Sequence, residues 1–358
     1  MKVLIAAGGT GGHIYPGVAI AKEILSRDAA SEVLFVGTAR GLEKKIVPDN
    51  GFQLALINSA GLKNVGLAGK IKGLAVLPRS FWEARKILKD FKPNVVVGAG
   101  GYVSGPVLLT AHFMGYPTLV MDSNALPGFT NRQLARFVDK AALTFDVSLP
   151  YFGSKGVVTG NPVRKEFFEI AARGLHEPVG LLIFGGSQGA RAINDAMITA
   201  LPFFNERGTK MTIVHQTGEP NYDAVRRAYE ENGWRDADIR PYISNMVEAF
   251  DAADVIICRA GATTCAEVAA AGKAAVMVPF PGAADDHQKK NAEAMVEKEA
   301  ARMIVQNDLD GARLADEITG LIENPERIEK MGTAARKMAR PDAAKVTVDI
   351  IESLRREL

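Results

Sequence analysis

The sequence predicts two doubly wound α/β domains, each with a parallel sheet covered by helices on both faces. Short, non-alternating apolar runs recur between helical segments, which is typical of strands buried in a parallel sheet. The pattern restarts in the second half, where an apolar run at 179–184 leads into a glycine-rich turn. At 358 residues the chain is also long for one hydrophobic core, so two domains are the default.

In the first half, each predicted strand is followed by a loop and a helix. The first loop, 8–13, precedes a helix predicted over 15–26, with Pro16 near its first turn, where the missing N–H costs nothing. A second glycine-rich loop occupies 98–105. The strands are predicted at 3–7, 33–36, 95–97, 118–121 and 142–145.

In the second half, strands are predicted at 179–184, 211–214, 254–257, 275–278 and 303–305, and a helix begins at about Arg191. We place the first domain at 1–160 and the second at 161–341. Residues 342–358 form an amphipathic helix expected to pack back on the first domain. Because ligands bind beyond the carboxyl ends of strands in such sheets, we expect the site in a cleft between the domains. The apolar face of the last helix is predicted to contain Val346, Ile350, Ile351 and Leu354.

The amino-acid composition is typical of an ordinary globular protein, and the cysteine content fits a reducing compartment. Hydrophobic residues make up 47% and charged residues 23%, and the two cysteines form neither a CxxC pair nor a histidine cluster, which argues against a disulfide framework or a zinc site. No signal peptide is expected, because only Met1 and Lys2 precede the first predicted strand, and no apolar run reaches membrane-spanning length.

Charge is unevenly distributed along the chain. Residues 1–160 carry 18 Lys/Arg and 10 Asp/Glu, a net of +8, whereas the remainder carries 25 and 31, a net of −6. An anionic partner of the first half, a membrane or a nucleic acid, would explain the asymmetry, and so would chance variation on solvated faces. No nucleic-acid-binding module is recognised, so no nucleic-acid partner is expected.

The segment 259–267 is the strongest candidate for a nucleotide site. An apolar strand runs into a turn of small residues and then into an alanine-rich helix that ends near Gly272. Such a turn directs backbone N–H groups and the positive end of the helix dipole at an anion. Glu267, about one turn into the helix, is placed to accept hydrogen bonds from two ribose hydroxyls. The alternative is an ordinary strand-to-helix junction in which Glu267 is a surface acid.

Two other nucleotide chemistries are disfavoured. The dinucleotide fingerprint GxGxxG would require glycine where the chain has Ile14 and Val103, and no acidic residue ends the second strand. The phosphate-binding motif GxxxxGK[ST] is absent, so NTPase chemistry is not expected.

Five blocks resemble the MurG family of glycosyltransferases, in the family's order and over essentially the whole chain. The resemblance implies the GT-B fold and transfer of N-acetylglucosamine from UDP-N-acetylglucosamine to lipid I, a polyprenyl-pyrophosphate-linked muramyl peptide, giving lipid II for peptidoglycan synthesis. It also implies a peripheral enzyme on the cytoplasmic face of the membrane, without a cofactor. The blocks are 8–17, 100–106, 160–164, 185–191 and 259–267.

The resemblance also implies roles for individual residues. The turn 185–189 would contact the diphosphate, helped by Arg164, while Ile243 would border the uracil through backbone contacts. The helix end at 262–266 would hold the phosphates and Glu267 the ribose. Residues of the first domain would close over the donor and meet the acceptor. The substrate-binding residues so implied are Thr10, Gly11, Gly12, Asn124, Arg164, Ser187, Gln188, Ile243, Ala262, Thr263, Thr264, Cys265, Ala266, Glu267, Gln288 and Asn291.

One block departs from the family pattern. The family usually has His-Glu-Gln-Asn where this chain has Met121-Asp122-Ser123-Asn124. The asparagine is retained, the acid is one methylene shorter, and the histidine is missing. A role assigned to that histidine therefore does not carry over.

The predicted mechanism is direct displacement with inversion at the anomeric carbon. A sugar hydroxyl needs a general base, and histidine is best matched to neutral pH. His13 in the first glycine loop is the leading candidate and Asp122 the second; His13 as a helix cap or a phosphate ligand is the alternative. No metal is expected: although residues 236–238 match DxD, helix N–H groups and Arg164 can neutralise the leaving diphosphate.

Residues 62–92 combine apolar side chains, including Phe81 and Trp82, with basic flanks. The apolar side chains have near-helical spacing, which Pro78 is predicted to interrupt. This composition suits peripheral binding to an anionic membrane surface, although helices that pack in the core with solvated lysines have the same pattern. The sequence leaves two further functions open. The first is a sister GT-B enzyme acting on another lipid or small acceptor, and the second is a nucleotide-sugar-binding subunit without catalysis.

Overall fold

The computed structural model describes residues 1–9, 11–39, 41–59, 67–171 and 175–355, with the side chains of all of these except 67–76. The chain divides into two compact units. The first unit is Met1–Pro162 with Arg340–Leu358, and the second is Val163–Ala339. These bounds lie two residues from the domain limits 1–160, 161–341 and 342–358 predicted from the sequence.

The first unit is built on seven parallel strands. Their bounds are β1 (Lys2–Ala7), β2 (Glu32–Gly37), β3 (Gln53–Leu56), β4 (Val95–Gly100), β5 (Thr118–Asp122), β6 (Lys140–Leu143) and β7 (Gly156–Val158). The helices between them are α1 (Gly11–Arg27), α2 (Glu43–Asp49), α3 (Leu67–Phe91), α4 (Ser104–Phe113) and α5 (Phe129–Leu134). The sheet order is β3-β2-β1-β4-β5-β6-β7, so the winding direction reverses between β1 and β4.

The buried run of β1 explains why its sequence does not alternate. Val3 and Ile5 pack in one hydrophobic cluster with α1, whereas Leu4 and Ala6 pack in another with α4 on the opposite face. Because both faces of the strand are covered, every side chain from Val3 to Ala7 is apolar. Each fully buried aliphatic side chain of this kind contributes about 1.5–3 kcal/mol of transfer free energy.

The second unit repeats the architecture with six parallel strands. Their bounds are β8 (Val179–Phe184), β9 (Met211–Gln216), β10 (Asp238–Arg240), β11 (Val255–Cys258), β12 (Ala274–Met277) and β13 (Arg302–Met303). The helices are α6 (Glu166–Glu169), α7 (Arg191–Arg207), α8 (Tyr222–Glu231), α9 (Met246–Ala252), α10 (Ala262–Ala271), α11 (His287–Glu297), α12 (Gly311–Ile322) and α13 (Pro325–Met338). The order β10-β9-β8-β11-β12-β13 reverses direction between β8 and β11.

The last helix, α14 (Ala343–Leu354), packs against α1 in the first unit. Its buried residues are Ala343, Thr347, Val348 and Ile351. Of the predicted face, Ile351 is buried, Ile350 and Leu354 are partly buried against the same hydrophobic cluster, and Val346 is partly buried. At the end of α1, the Arg27 guanidinium donates to Asp349 at 2.7 Å and to the Lys345 carbonyl at 2.8 Å, which fixes the two helices together.

Two predicted helix features differ in the structure. Helix α1 begins at Gly11 rather than at residue 15, so His13 lies in its first turn and not in a loop. Helix α3 continues through Pro78, which was predicted to interrupt it. Within the described part of the chain, none of the helices combines the length and hydropathy needed to cross a lipid bilayer.

Candidate active site

The candidate residues of the first unit follow strands that neighbour one another. The first glycine loop follows β1, the loop 101–103 follows β4, and residues 123–128 follow β5. Because the strands are parallel and adjacent, these loops meet at one edge of the sheet, where the winding direction reverses. Of the predicted residues here, Thr10 lies outside the described residues.

His13 is held in place by close backbone approach. A Cβ at Gly100 would lie 2.3 Å from the His13 Nδ1, and a Cβ at Gly101 would lie 2.1 Å from the Gly8 carbonyl. Both glycines also have positive φ angles, 117° and 82°, which other residues rarely adopt. Gly100 therefore packs directly on the His13 imidazole, which is partly buried, and Gly101 packs on the first glycine loop.

Glu43 fixes the first glycine loop and was not predicted from the sequence as a site residue. Its side chain is fully buried, and the carboxylate accepts hydrogen bonds from the Gly9 N–H at 3.0 Å and from the Thr38 N–H and hydroxyl, both at 2.8 Å. Burial opposes ionisation, but these hydrogen bonds outweigh it and hold the pKa of Glu43 below its usual value. The ionised carboxylate thus ties the loop after β1 to the loop after β2.

Asp122 is occupied by its own loop. It is 4% exposed; one carboxylate oxygen accepts from the Asn124 N–H at 2.9 Å, and the other from the Gly128 N–H at 2.9 Å and the Asn131 amide at 2.8 Å. Burial nevertheless raises the pKa of Asp122, and the hydrogen bonds oppose that rise. These contacts favour a positioning role for Asp122 over the general-base role considered from the sequence.

Asn124 lies directly after this carboxylate. It is partly buried, and its carbonyl accepts from the Ser148 hydroxyl at 3.0 Å. Asp122 therefore fixes the backbone that presents Asn124 at the sheet edge. Gly11 and Gly12 are the first two residues of α1 and lie at the same edge of the sheet. Gly12 is exposed.

The glycine turn of the second unit joins β8 to α7. Gly186 and Gly189 have φ angles of 101° and 72°, and Ser187 and Gln188 between them are exposed. A Cβ at Gly185 would lie 2.1 Å from that of Ala190, so the turn tolerates no side chain there. The turn thus presents exposed Ser187 and Gln188 at the start of a helix, as an anion site requires.

The second candidate anion site is the N-terminus of α10. Gly261 is its N-cap, with an extended backbone and no side-chain capping bond. The first helical hydrogen bond runs from the Cys265 N–H to the Gly261 carbonyl at 2.9 Å. The backbone donors left for an anion are therefore those of Ala262, Thr263 and Thr264.

This geometry removes two of the residues that were predicted to contact the phosphates. Cys265 is 1% exposed, and its thiol lies 4.0 Å from the Met277 sulfur. Ala266 follows the first helical hydrogen bond, so its N–H belongs to the helix ladder. Neither residue is placed to donate to a phosphate.

Glu267 lies on α10 and is partly buried. Burial raises the pKa of Glu267 to about 7, and the nearby Arg164 guanidinium opposes the rise. Arg164 itself is exposed, with its guanidinium 4.9 Å from the centre of the Phe167 ring. A carboxyl that titrates near neutral pH beside an exposed cation is typical of a ligand site rather than of a solvated helix surface.

Ile243 and Asn291 each use one polar group in a contact within the protein. The Ile243 N–H donates to the Gln216 side chain at 2.8 Å, so only the Ile243 carbonyl remains for a base. Asn291 is fully buried, and its amide donates to the Ala260 carbonyl at 3.1 Å. Asn291 therefore supports the loop before α10. Gln288 is partly buried and accepts from the Phe280 N–H at 3.0 Å.

Family comparisons match both units. The N-terminal domain model of glycosyltransferase family 28 matches residues 3–143, and the C-terminal domain model of the same family matches residues 180–347. The chain belongs to glycosyltransferase family 28. The two parallel-sheet α/β domains, the GT-B class predicted from the sequence, are thereby confirmed.

Curated family 28 relatives align along nearly their whole length. A protein of Geotalea uraniireducens is 46% identical over 355 residues, covering 98% of this chain and 97% of the relative. One of Geobacter sulfurreducens is 44% identical over 364 residues, covering both chains completely. Both relatives are named UDP-N-acetylglucosamine–N-acetylmuramyl-(pentapeptide) pyrophosphoryl-undecaprenol N-acetylglucosamine transferase.

Solved structures agree with this assignment. MurG of Acinetobacter baumannii superimposes with a TM-score of 0.82 at 34% identity, covering 98% of this chain and 99% of that one. A UDP-GlcNAc 2-epimerase of Neisseria meningitidis superimposes with a TM-score of 0.70 at 16% identity, covering 99% of this chain and 100% of that one, and so shares the fold.

Proposed function

We propose that this family 28 protein transfers N-acetylglucosamine from UDP-N-acetylglucosamine to the muramyl hydroxyl of lipid I, giving lipid II and UDP. The supporting observation is full-length similarity, at 44–46% identity, to relatives named for this reaction. The site adds chemical support, because two helix N-termini of the second unit lie at neighbouring strand ends, where a nucleotide diphosphate is expected.

The second unit binds the donor in this proposal. The diphosphate takes N–H groups from Ala262, Thr263 and Thr264 and contacts Ser187 on the neighbouring turn. Glu267 accepts hydrogen bonds from the ribose hydroxyls. The Ile243 carbonyl accepts from the N3–H of uracil, since its own N–H is already used.

The first unit binds the acceptor. His13 accepts the proton of the muramyl hydroxyl as the oxygen attacks the anomeric carbon and the bond to the UDP oxygen breaks. The configuration at that carbon therefore inverts, so an α-linked donor gives a β-linked product. Asn124, presented by the Asp122 loop, contacts the acceptor.

The departing UDP is neutralised by protein groups in this mechanism. The helix dipole amounts to roughly half a positive charge at the N-terminus of α10, and Arg164 adds a full charge. In the DxD segment, Asp238 is paired with the Arg240 guanidinium, at 2.9 Å to its Nε. Turnover is therefore expected to persist in EDTA.

We also propose that the first unit docks on an anionic membrane surface from the cytoplasmic side. On α3, Ser80, Ala84 and Leu88 are buried and form the core-facing side. Trp82 is 64% exposed, and Phe113 at the end of the neighbouring α4 is 75% exposed. The exposed basic residues of the same helix are Arg79, Arg85, Lys86 and Lys89. Exposed aromatic rings with nearby cations suit the interface of a bilayer.

The proposal is tested by transfer from labelled UDP-N-acetylglucosamine to a lipid I analogue, with UDP-glucose and UDP-N-acetylgalactosamine as competing donors and EDTA present. We expect a lipid II product with a β-linkage and preference for the N-acetylglucosamine donor. UDP release without lipid product, or transfer to an unrelated acceptor alone, would overturn it.

The base assignment has its own test. His13→Ala is expected to lower kcat by about a hundredfold or more, the usual contribution of a general base. His112→Ala, which removes an exposed histidine of α4, serves as the matched control and should leave kcat with a soluble acceptor unchanged. Near wild-type turnover of the His13 variant would remove the assignment.

A further inference from the structure

Gln216, the last residue of β9, connects two parts of the donor site through one side-chain amide. It is 1% exposed. Its nitrogen donates to the Gly186 carbonyl at 2.8 Å, and its oxygen accepts from the Ile243 N–H at 2.8 Å. Gly186 belongs to the turn after β8, and Ile243 to the segment after β10.

The backbone around this amide is packed as tightly as the amide itself. A Cβ at Gly189 would lie 1.9 Å from the Thr217 carbonyl, and a Cβ at Gly218 would lie 2.2 Å from the Gln188 carbonyl. The turn 185–189 therefore touches the segment that follows Gln216 without side chains between them.

The opposite side of that segment is also fixed. The Thr217 N–H donates to the Arg240 carbonyl at 3.0 Å, and the Gly218 N–H donates to the Pro241 carbonyl at 3.1 Å. The Asn194 amide of α7 donates to the Thr217 carbonyl at 2.9 Å. Three chain segments are thus held in one register, with Gln216 bonded to the outer two.

We propose that Gln216 is a positioning residue that sets the distance between the base-binding and diphosphate-binding parts of the donor site. The inference rests on the proposed donor site, in which the turn 185–189 contacts the diphosphate and Ile243 borders the uracil. A uridine diphosphate spans both parts, so it benefits from their fixed separation, whereas uridine or pyrophosphate alone uses one part only.

The side-chain amide of Gln216 has the chemical groups that this role needs. An amide donates from one end and accepts at the other, so it can bond a carbonyl and an N–H at once. A leucine fills a similar volume but bonds neither. A glutamate keeps the acceptor for Ile243 and places a second acceptor against the Gly186 carbonyl, which is repulsive.

The same contact determines which peptide group of Ile243 meets the base. With the N–H bound to Gln216, the carbonyl faces the ligand in our proposal. A carbonyl accepts from the N3–H of uracil, whereas cytosine carries no hydrogen at that position. Gln216 thereby contributes to the preference for uridine over cytidine nucleotides.

The experiment measures inhibition constants of UDP, CDP, uridine and inorganic pyrophosphate for wild-type protein, Gln216→Leu and Gln216→Glu. For both variants we expect UDP to weaken by about tenfold or more, while uridine and pyrophosphate each change less than about threefold. The ratio of the inhibition constants of CDP and UDP should decrease in Gln216→Leu. In this variant the Ile243 N–H no longer has its partner and can donate to the cytosine ring. The KM for the lipid acceptor should not change.

A control variant separates positioning from general loss of stability. Val225→Ala removes a buried side chain from the core of the same unit and breaks none of these hydrogen bonds. It should lower the melting temperature without weakening UDP selectively. Parallel weakening of UDP, uridine and pyrophosphate in the Gln216 variants, or unchanged UDP binding, would overturn the inference. Failure of wild-type protein to bind UDP would instead overturn the proposed donor site.

Discussion

At the scale of single residues, the proposed contact of the Glu267 carboxyl with the ribose makes donor binding depend on pH. Burial raises its pKa to about 7 against the charge of Arg164, so the group is half-ionised near neutrality. An ionised carboxylate accepts hydrogen bonds from both ribose hydroxyls, and protonation removes one acceptor. Donor affinity is therefore expected to depend on deprotonation of this residue.

We predict that the KM for UDP-N-acetylglucosamine rises by about tenfold from about pH 8 to about pH 6, as one required deprotonation implies. Glu267→Gln should show a higher KM that is flat over the same range. A 2′-deoxy donor, which lacks one partner of the carboxylate, is the matched control and should also give a flatter profile. The same slope in Glu267→Gln as in wild type would assign the pH dependence elsewhere.

Glu43 supports the first glycine loop in the first unit, where we propose that the acceptor binds. Its pKa is held below the unfolded value by hydrogen bonds from Thr38 and Gly9 that outweigh the effect of burial. The stability it contributes is therefore complete above the unfolded pKa of about 4.3 and is lost as the pH falls through the lower folded value.

Glu43→Gln should lower the free energy of unfolding of the first unit by about 1–3 kcal/mol at neutral pH, because buried donors lose a charged acceptor. The difference from wild type should shrink below about pH 4. Urea titrations followed by the fluorescence of Trp82 measure this. Glu32→Gln, which alters an exposed carboxylate, should change stability by less than about 1 kcal/mol. An equal loss in both variants would contradict the role of Glu43.

The sequence could not identify these positioning residues. Glu43 stands before Lys44 and Lys45 and looks like part of a solvated helix, and its burial follows from Gly37 and Gly41, whose added Cβ atoms would each collide with its side chain. Asn291 was predicted as a ligand because the resemblance gives a residue type and not its orientation. His13 and Glu267 could be proposed from the sequence, because His13 follows a glycine loop after a strand and Glu267 lies about one turn into a helix; their roles stay predictions.

At the scale of elements, prediction succeeded where a strand is buried on both faces. β8 has the predicted bounds, and α7 begins at the predicted Arg191. β3, β7 and β10 were missed. Two of them, β7 and β10, have only three residues each, and β10 is Asp-Ile-Arg, so pairing with β9 and not local sequence makes it a strand. Helix α1 was predicted to start too late, because its first turn contains two glycines.

β9 carries a buried histidine that should make the second unit sensitive to acid. His215 bonds the Tyr229 hydroxyl at 3.0 Å and the Asn194 side chain at 3.1 Å. Burial lowers its pKa to about 3. Below the unfolded pKa of about 6.5, the unfolded chain binds a proton that the folded one does not. The free energy of unfolding therefore decreases as the pH is lowered.

We predict that His215 costs about 2 kcal/mol of stability between about pH 6.5 and pH 5. His215→Gln can keep both hydrogen bonds and has no ionisable group, so the pH dependence of wild type minus variant isolates this effect. Urea unfolding followed by Trp234 in a Trp82→Phe background reports on the second unit. A pH-independent difference between the two proteins would show that His215 is not the cause.

At the scale of the whole molecule, the two units differ in charge although they share an architecture. Residues 1–160 carry a net charge of +8 and the rest a net of −6. A positive first unit is suited to an acceptor that carries a pyrophosphate and lies in an anionic membrane. In the second unit, backbone N–H groups and Arg164 are the proposed means of holding an anionic donor, so its negative net charge does not exclude donor binding.

The membrane proposal makes the last prediction. Wild-type protein should float with vesicles containing phosphatidylglycerol at low salt and detach as salt rises, because surface attraction is screened within about 10 Å at 0.1 M. Trp82→Ala should weaken binding at all salt concentrations, since the ring contributes apolar burial. Lys86→Gln with Lys89→Gln should lower partitioning by roughly thirtyfold, at about 1 kcal/mol per basic residue.

A matched pair in the second unit controls for net charge. Arg227→Gln with Lys330→Gln removes the same charge from exposed positions of α8 and α13 and should leave flotation unchanged if the first unit makes the contact. Equal loss in both double variants would mean that binding follows net charge and not the α3 face. Absence of flotation of wild-type protein at low salt would remove the membrane surface from the partners of this enzyme, while leaving its transfer chemistry intact.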